Sequence, residues 1–243
     1  MKAMVLAAGL GTRLRPLTDD RPKALVEIAG RTLLEITLDR LRGFGIREVI
    51  INVHHFADMM VDYLKAHDNF GMHIEISHED GLLLDTGGGL KKAARFFDDA
   101  QPFILHNVDI ISTIDLHAMV RAHTESRALA TLAVKDRKTS RYLLFDESGR
   151  LCGRRAGVDG PVEIVRTSDR FEALAFSGIH VISPRLLQML TEDGVFSIIN
   201  SYLRLSGQGE SVLGFRADAF YWRDLGKPPS LVDAEQDLKN GRW

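Results

Sequence analysis

Arg13, Arg15, Arg21 and Lys23 crowd into one short loop directly behind Gly9-Leu10-Gly11-Thr12. Glycine lets a backbone take positive φ and lets a ligand approach where a Cβ would otherwise stand. Successive backbone N–H groups in such a turn form a concave nest for anions. With full positive charges added, and Pro16 and Pro22 to stiffen it, the loop reads as a cradle for a triphosphate. Two better-known cradles are excluded. The dinucleotide fingerprint needs a third glycine where this chain has Leu14, and an acid closing the next strand, which here ends Asn52-Val53-His54. A Walker A loop needs Gly-Lys-Ser or Gly-Lys-Thr, and no such triplet follows Gly11.

Further candidates lie downstream. In Asp85-Thr86-Gly87-Gly88-Gly89 three glycines open a helix, which suits either close backbone approach to a flat ligand or a plain flexible connection. Asp109 follows a buried apolar stretch, at the carboxyl end of a strand where open α/β sheets bind ligands. Its hard oxygens suit Mg²⁺, held by one or two carboxylates plus substrate phosphates. A helix cap is the competing role for Asp109 or Asp115, and Asp224, among aromatics, has a turn-forming alternative. Lys135, Arg137, Lys138 and Arg141 form a basic cluster, whose plain reading is a solvated loop and whose functional reading is a landing site for an anionic phosphate. His180 reads as structural, and Cys152 as a buried, inert thiol.

The elements that must position these residues alternate. Ala3–Ala8 is an uncharged apolar run, a buried strand. Thr32 caps a helix with Glu35 three residues on, and Leu34, Leu38 and Leu41 recur at helical spacing until Gly43 and Gly45 stop it. Strands follow at 47–53, 72–77, 102–105 and 129–134, with helices at 56–66 and 115–126. The expected fold is therefore α/β: a Rossmann-like three-layer domain with a mostly parallel central sheet, helices on both faces and right-handed crossovers. Beyond residue 135 a hairpin at 145–155, a loop at 157–170, strands at 173–182 and 212–215, and helices from Pro184, at 196–206 and at 230–239 are expected. One domain over 1–243 results, with halves dividing near residue 134.

Composition bounds the function. A chain of 243 residues with 45% hydrophobic residues buries an ample core without disulfide or metal. A net charge of −2 argues against a nucleic-acid partner. One cysteine precludes an intrachain disulfide, and no apolar run is long enough for a membrane span. With no signal-peptide pattern, a cytoplasmic location and no membrane partner are expected. Oligomeric state is not legible.

Leu6 to Thr18, followed by Pro22-Lys23-Ala24-Leu25-Val26, resembles the opening signature of the sugar-1-phosphate nucleotidyltransferases. Matches continue at Asp85–Gly89, at Asn107-Val108-Asp109, at Ser177-Gly178 and at Trp222-Arg223-Asp224-Leu225-Gly226-Lys227-Pro228, so the likeness covers nearly the whole chain. It implies transfer of NMP from an NTP (UTP or GTP) to a sugar-1-phosphate, giving an NDP-sugar and pyrophosphate. It implies catalytic roles for Arg13 and Lys23, and nucleotide contacts from Ala8, Gly9, Gly11, Thr12, Glu79, Gly87 and Gly88. It implies Mg²⁺ on Asp109 and Asp224, and a small β insertion for the sugar. Sugar-phosphate contacts are expected from Asn107, Gly178 and, within the basic cluster, Arg141. The chain departs from the pattern in three places: Val108 stands where many relatives have glycine, the Glu79–Thr86 spacing is about one residue long, and Glu-Lys-Pro, which often supplies the acceptor-phosphate lysine, is absent. The short length and Asp85–Gly89 are most similar to N-acetylmuramate-1-phosphate uridylyltransferases, then to heptose- or mannose-1-phosphate guanylyltransferases. No hexapeptide-repeat acyltransferase tail is expected after Asp224. The alternatives are a glycosyltransferase of related architecture, which usually carries Asp-x-Asp, and a non-catalytic nucleotide-sugar sensor.

Overall fold

A computed structural model describes residues 1–243. The chain begins with β1 (Lys2–Leu6), and a long loop with two 3-10 turns leads to the small hairpin β2 (Glu27–Ile28) and β3 (Arg31–Thr32). Then come α1 (Leu33–Gly43), β4 (Glu48–Val53), α2 (Ala57–Ala66), β5 (His73–His78), α3 (Asp85–Lys92), β6 (Phe103–Asn107), β7 (Ile110–Ser112), α4 (Leu116–Ser126) and β8 (Ala130–Lys135). The second half runs β9 (Arg141–Phe145), β10 (Leu151–Ala156), β11 (Val162–Ile164), β12 (Glu172–Ile182), α5 (Arg185–Gln188), α6 (Ile198–Gly207), β13 (Val212–Arg216), β14 (Trp222–Asp224) and α7 (Pro228–Lys239).

A ten-stranded sheet runs β11-β10-β9-β12-β6-β1-β4-β5, with β8 beside β12 and β13 beside β8. The central strands β6, β1, β4 and β5 are parallel. Past β6 the sheet turns mixed, because β12 joins it antiparallel and pairs with β6, β8 and β9 in turn. Two cores sandwich the sheet. Ala3 and Val5 of β1 face α1, α2, α4 and α7, while Met4 faces α3, α5 and α6. That alternation is the two-residue period of a strand buried on both sides. No helix is long and apolar enough to cross a membrane.

Local signals act as expected. Thr32 accepts the Glu35 N–H at 3.0 Å, and Asp115 caps α4 through the Ala118 N–H at 2.9 Å. Cys152 is buried. Two expectations need correction. Residues 157–170 contain β11, an edge strand exposed at every position, so no burial period marks it. The helix from Pro184 lasts only one turn, α5.

His106 and His180 are fully buried, and desolvation pushes their pKa values down to about 4 and about 3. Arg40 adds to the effect at His106, while the His180 ring bonds the Tyr202 hydroxyl at 2.9 Å. Both folded values lie below the unfolded one. The unfolded chain therefore protonates first, and stability present at pH 7 is lost as pH falls from about 6.5 to 4. Each histidine accounts for roughly 3 kcal/mol over that interval. The urea midpoint is expected to drop steeply from pH 7 to 4.5, with a flatter profile in His106→Gln.

Candidate active site

The carboxyl ends of β1, β4 and β5 are tied together before any charged group enters. Asn52, near the end of β4, accepts the Ala7 N–H at 2.8 Å and donates through Nδ2 to Glu79 Oε1 at 2.6 Å. Glu79 Oε2 accepts the Leu84 N–H at 2.8 Å. Glu79 is 2% exposed, with both carboxylate oxygens engaged by the fold. Through these bonds Glu79 braces the glycine loop against the start of α3. Glu79→Gln turns one acceptor into a donor facing a donor. We expect a cost of about 1–3 kcal/mol in urea unfolding, the penalty of one unmet buried group.

Gly87 and Gly88 also serve the fold. A Cβ on Gly87 would fall against the Phe196 ring, and one on Gly88 against the Gly194 carbonyl. The Gly87 N–H donates to Phe196 O at 2.9 Å. Their missing side chains admit the turn before α6.

The loop after β1 leaves its glycines partly open to solvent. Ala8 is buried, whereas Gly9 and Thr12 are exposed. Gly11 has φ of 64°, and a Cβ there would lie 2.9 Å from Thr18 Cγ2. Thr18 closes the loop by donating to Gly11 O at 2.9 Å. Leu14 anchors it in the core. Arg15 and Arg21 pair with Asp19 and Asp20 at the surface, 3.3 and 3.0 Å away. Such exposed pairs contribute little to stability.

Arg13 and Lys23 are brought to the two acids. Lys23 opens a 3-10 turn behind the buried Pro22, and its Nζ pairs with Asp109 Oδ2. Their side chains are only 12% and 14% exposed. Asp109 sits between β6 and β7, and β7 pairs antiparallel with β14, setting Asp224 opposite Ile110. The Leu225 N–H donates to Asp109 O at 2.9 Å, locking the two acid-bearing segments side by side. Asp224 also forms the turn its surroundings suggested, accepting the Gly226 N–H at 2.7 Å. Arg13 lies across that turn: a Cβ on Gly226 would be 2.5 Å from Arg13 Nη2 and 2.8 Å from Asp224 Oδ1.

On the other flank, the register of β12 slips between Phe176 and His180. Gly178 there has φ of 76°, and a Cβ would meet Ile110 Cγ1 at 2.7 Å and Asn107 Nδ2 at 3.1 Å. Gly178 and Asn107 are thus neighbours beside Asp109. Arg141 is not among them. It is exposed at the start of β9, where strand alternation turns it away from Tyr142. Tyr142 is the residue that faces Arg137 and Arg155. Lys135 is held by the carbonyls of Ala217 and Phe220 at 2.8 and 2.5 Å. Arg137 is the member of the cluster that packs on β14, half-buried with its guanidinium 4.0 Å from the ring of Trp222, two residues before Asp224. Asn52 is the contributor with no functional signal of its own in the sequence.

No group of three or more His, Cys, Asp or Glu side chains gathers here or elsewhere. The hard-oxygen donors at the site are the pair Asp109 and Asp224. A rim of backbone, two cations and two acids with no nucleophile–base pair suits phosphoryl chemistry driven by positioning and charge.

Residues 2–150 match the nucleotidyl transferase family. The chain belongs to it. This nucleotidyltransferase is 36% identical over 97% of its length to an N-acetylmuramate alpha-1-phosphate uridylyltransferase of Caulobacter vibrioides, covering 96% of that protein. It is 29% identical over 96% of its length to a mannose-1-phosphate guanyltransferase of Yarrowia lipolytica, of which it covers 62%. Its fold matches HddC from Yersinia pseudotuberculosis, solved with GMP-PN, at a TM-score of 0.75 and 20% identity, covering 98% of this chain and 99% of that one.

Proposed function

We propose that this nucleotidyltransferase transfers NMP from UTP or GTP to a sugar-1-phosphate, releasing pyrophosphate and an NDP-sugar. The observation that carries the reading is the convergence of Arg13, Lys23, Asp109 and Asp224 at one rim of the sheet, from opposite ends of the chain.

The acceptor phosphate is anionic at neutral pH, so no general base is needed. Its oxygen attacks the α-phosphorus, the bond from that phosphorus to the oxygen bridging to the β-phosphate breaks, and pyrophosphate leaves with the electron pair. No proton moves. Lys23 neutralises charge at the α-phosphate and the incoming oxygen, and Arg13 takes the charge gathering on pyrophosphate. The open space at Gly9 and the turn at Gly11 admit the phosphates to the backbone. Asn107 and Gly178 border the sugar side.

Asp109, just before β7, and Asp224, on the adjoining β14, offer hard carboxylate oxygens of the kind that suits Mg²⁺. Asp109 and Asp224 would hold it. When bound it supplies charge neutralisation at the transferring group.

The test is pyrophosphate release from UTP, GTP, CTP and dTTP with Mg²⁺ against a panel of sugar-1-phosphates. UTP with N-acetylmuramate-1-phosphate comes first, because the relative matched over both full lengths bears that name. Release with at least one pair is expected. None with any pair would defeat the transferase reading in favour of a sensor.

A further inference from the structure

We propose that Arg137, stacked on Trp222 beside the Ser177–Gly178 stretch, binds the phosphate of the acceptor sugar-1-phosphate. The inference rests on the transferase reading for the identity of its ligand. It supplies the cation that the absent Glu-Lys-Pro motif leaves unassigned and that Arg141, on the wrong face of β9, does not provide.

Its geometry is that of a built anion site. The guanidinium lies over the Trp222 ring at 4.0 Å, and Nη2 donates to Phe176 O at 2.7 Å. Trp222 is fixed in turn by donating from Nε1 to Ser177 O at 2.8 Å. Both anchoring carbonyls belong to the irregular stretch of β12 that ends in Gly178. The plane of the guanidinium is therefore set by two contacts. Its Nε is enclosed without a hydrogen-bond partner. Nη1 bonds to no protein atom and is not enclosed, so it faces the solvent-open side.

The charge has no partner either. No carboxylate comes within ion-pair distance of Arg137, although Lys23, Arg31, Arg204 and Arg223 all have one. Partial burial of an unpaired guanidinium is unfavourable unless an anion completes it, and a planar guanidinium matches phosphate oxygens well. Arg137 thus stands beside the Ser177–Gly178 stretch, on the side where Asn107 lies, while Arg13 reaches the Asp224 turn from the glycine loop.

The experiment compares wild type, Arg137→Gln and Arg137→Lys. Pyrophosphate release gives KM for both substrates. Calorimetry gives the affinity for N-acetylmuramate-1-phosphate, glucose-1-phosphate and mannose-1-phosphate, with α,β-imido-UTP or α,β-imido-GTP present. Expected for Arg137→Gln is a rise of tenfold or more in KM and Kd for the sugar-1-phosphate. KM for the NTP should stay within twofold and the thermal midpoint near wild type, with partial recovery in Arg137→Lys. Equal rises in both KM values, a fallen midpoint without recovery in Arg137→Lys, or unchanged sugar-phosphate affinity would overturn the proposal, as would a wild type that binds none of the three. Binding lost in Arg137→Gln while wild type turns over no substrate pair would defeat the transferase reading and support this one.

Discussion

Replacing Lys23 with alanine is expected to lower turnover on the order of 10²–10³-fold, the usual cost of removing one preorganised charge partner at a reacting phosphate. Asp109→Ala should cost about as much. Because the two side chains form one largely buried ion pair, their losses should not add. The double variant should fall only slightly below either single one. Stability separates the pair's two roles. Removing the ammonium leaves Asp109 enclosed and unpaired, at a cost of up to about 3–5 kcal/mol, whereas the double variant recovers part of that. Pyrophosphate release and urea unfolding on the four proteins of the cycle measure both. Strictly additive losses in turnover, or wild-type-like rates in Lys23→Ala, would contradict the assigned role.

Gly87→Ala should be among the most destabilising single methyl additions in the chain. The new Cβ collides with the Phe196 ring and lies 2.9 Å from the Phe196 carbonyl oxygen. The ring can move only by opening the contact between α3 and α6, and the carbonyl cannot move without losing the Gly87 N–H bond. Overpacking of this kind costs about 1–3 kcal/mol and sometimes more. Gly9→Ala is the control, since nothing lies within 4 Å of its would-be Cβ. A large drop in urea midpoint for Gly87→Ala and little change for Gly9→Ala is the expected result. Equal midpoints would mean that the glycine run is not a packing device.

What local rules govern was legible in the chain. The apolar run of β1, the caps at Thr32 and Asp115, the helical spacing of Leu34, Leu38 and Leu41 and the turn at Gly11 each depend on residues a few positions apart. The acids at 109 and 224 and the cations at 13 and 23 were legible through a long family signature, which reports chemistry without showing geometry. The packing partners of Glu79, Gly87 and Gly88 were not legible, for a common reason. A buried carboxylate and a run of glycines look the same whether they meet a nucleotide or another part of the chain, and their partners Asn52, Gly194 and Phe196 lie far off in sequence.

By itself, then, the sequence determined the α/β layering and the family, because strand and helix periods and a long run of motif residues are written in neighbouring positions. Only the tertiary structure decided which of several like groups serves the site. Strand pairing sets the face each side chain takes, so the pairing of β9 with β12 turns Arg141 away. The contact of Arg137 with Trp222 brings that arginine to β14. That choice depends on long-range register, which no window of adjacent residues contains.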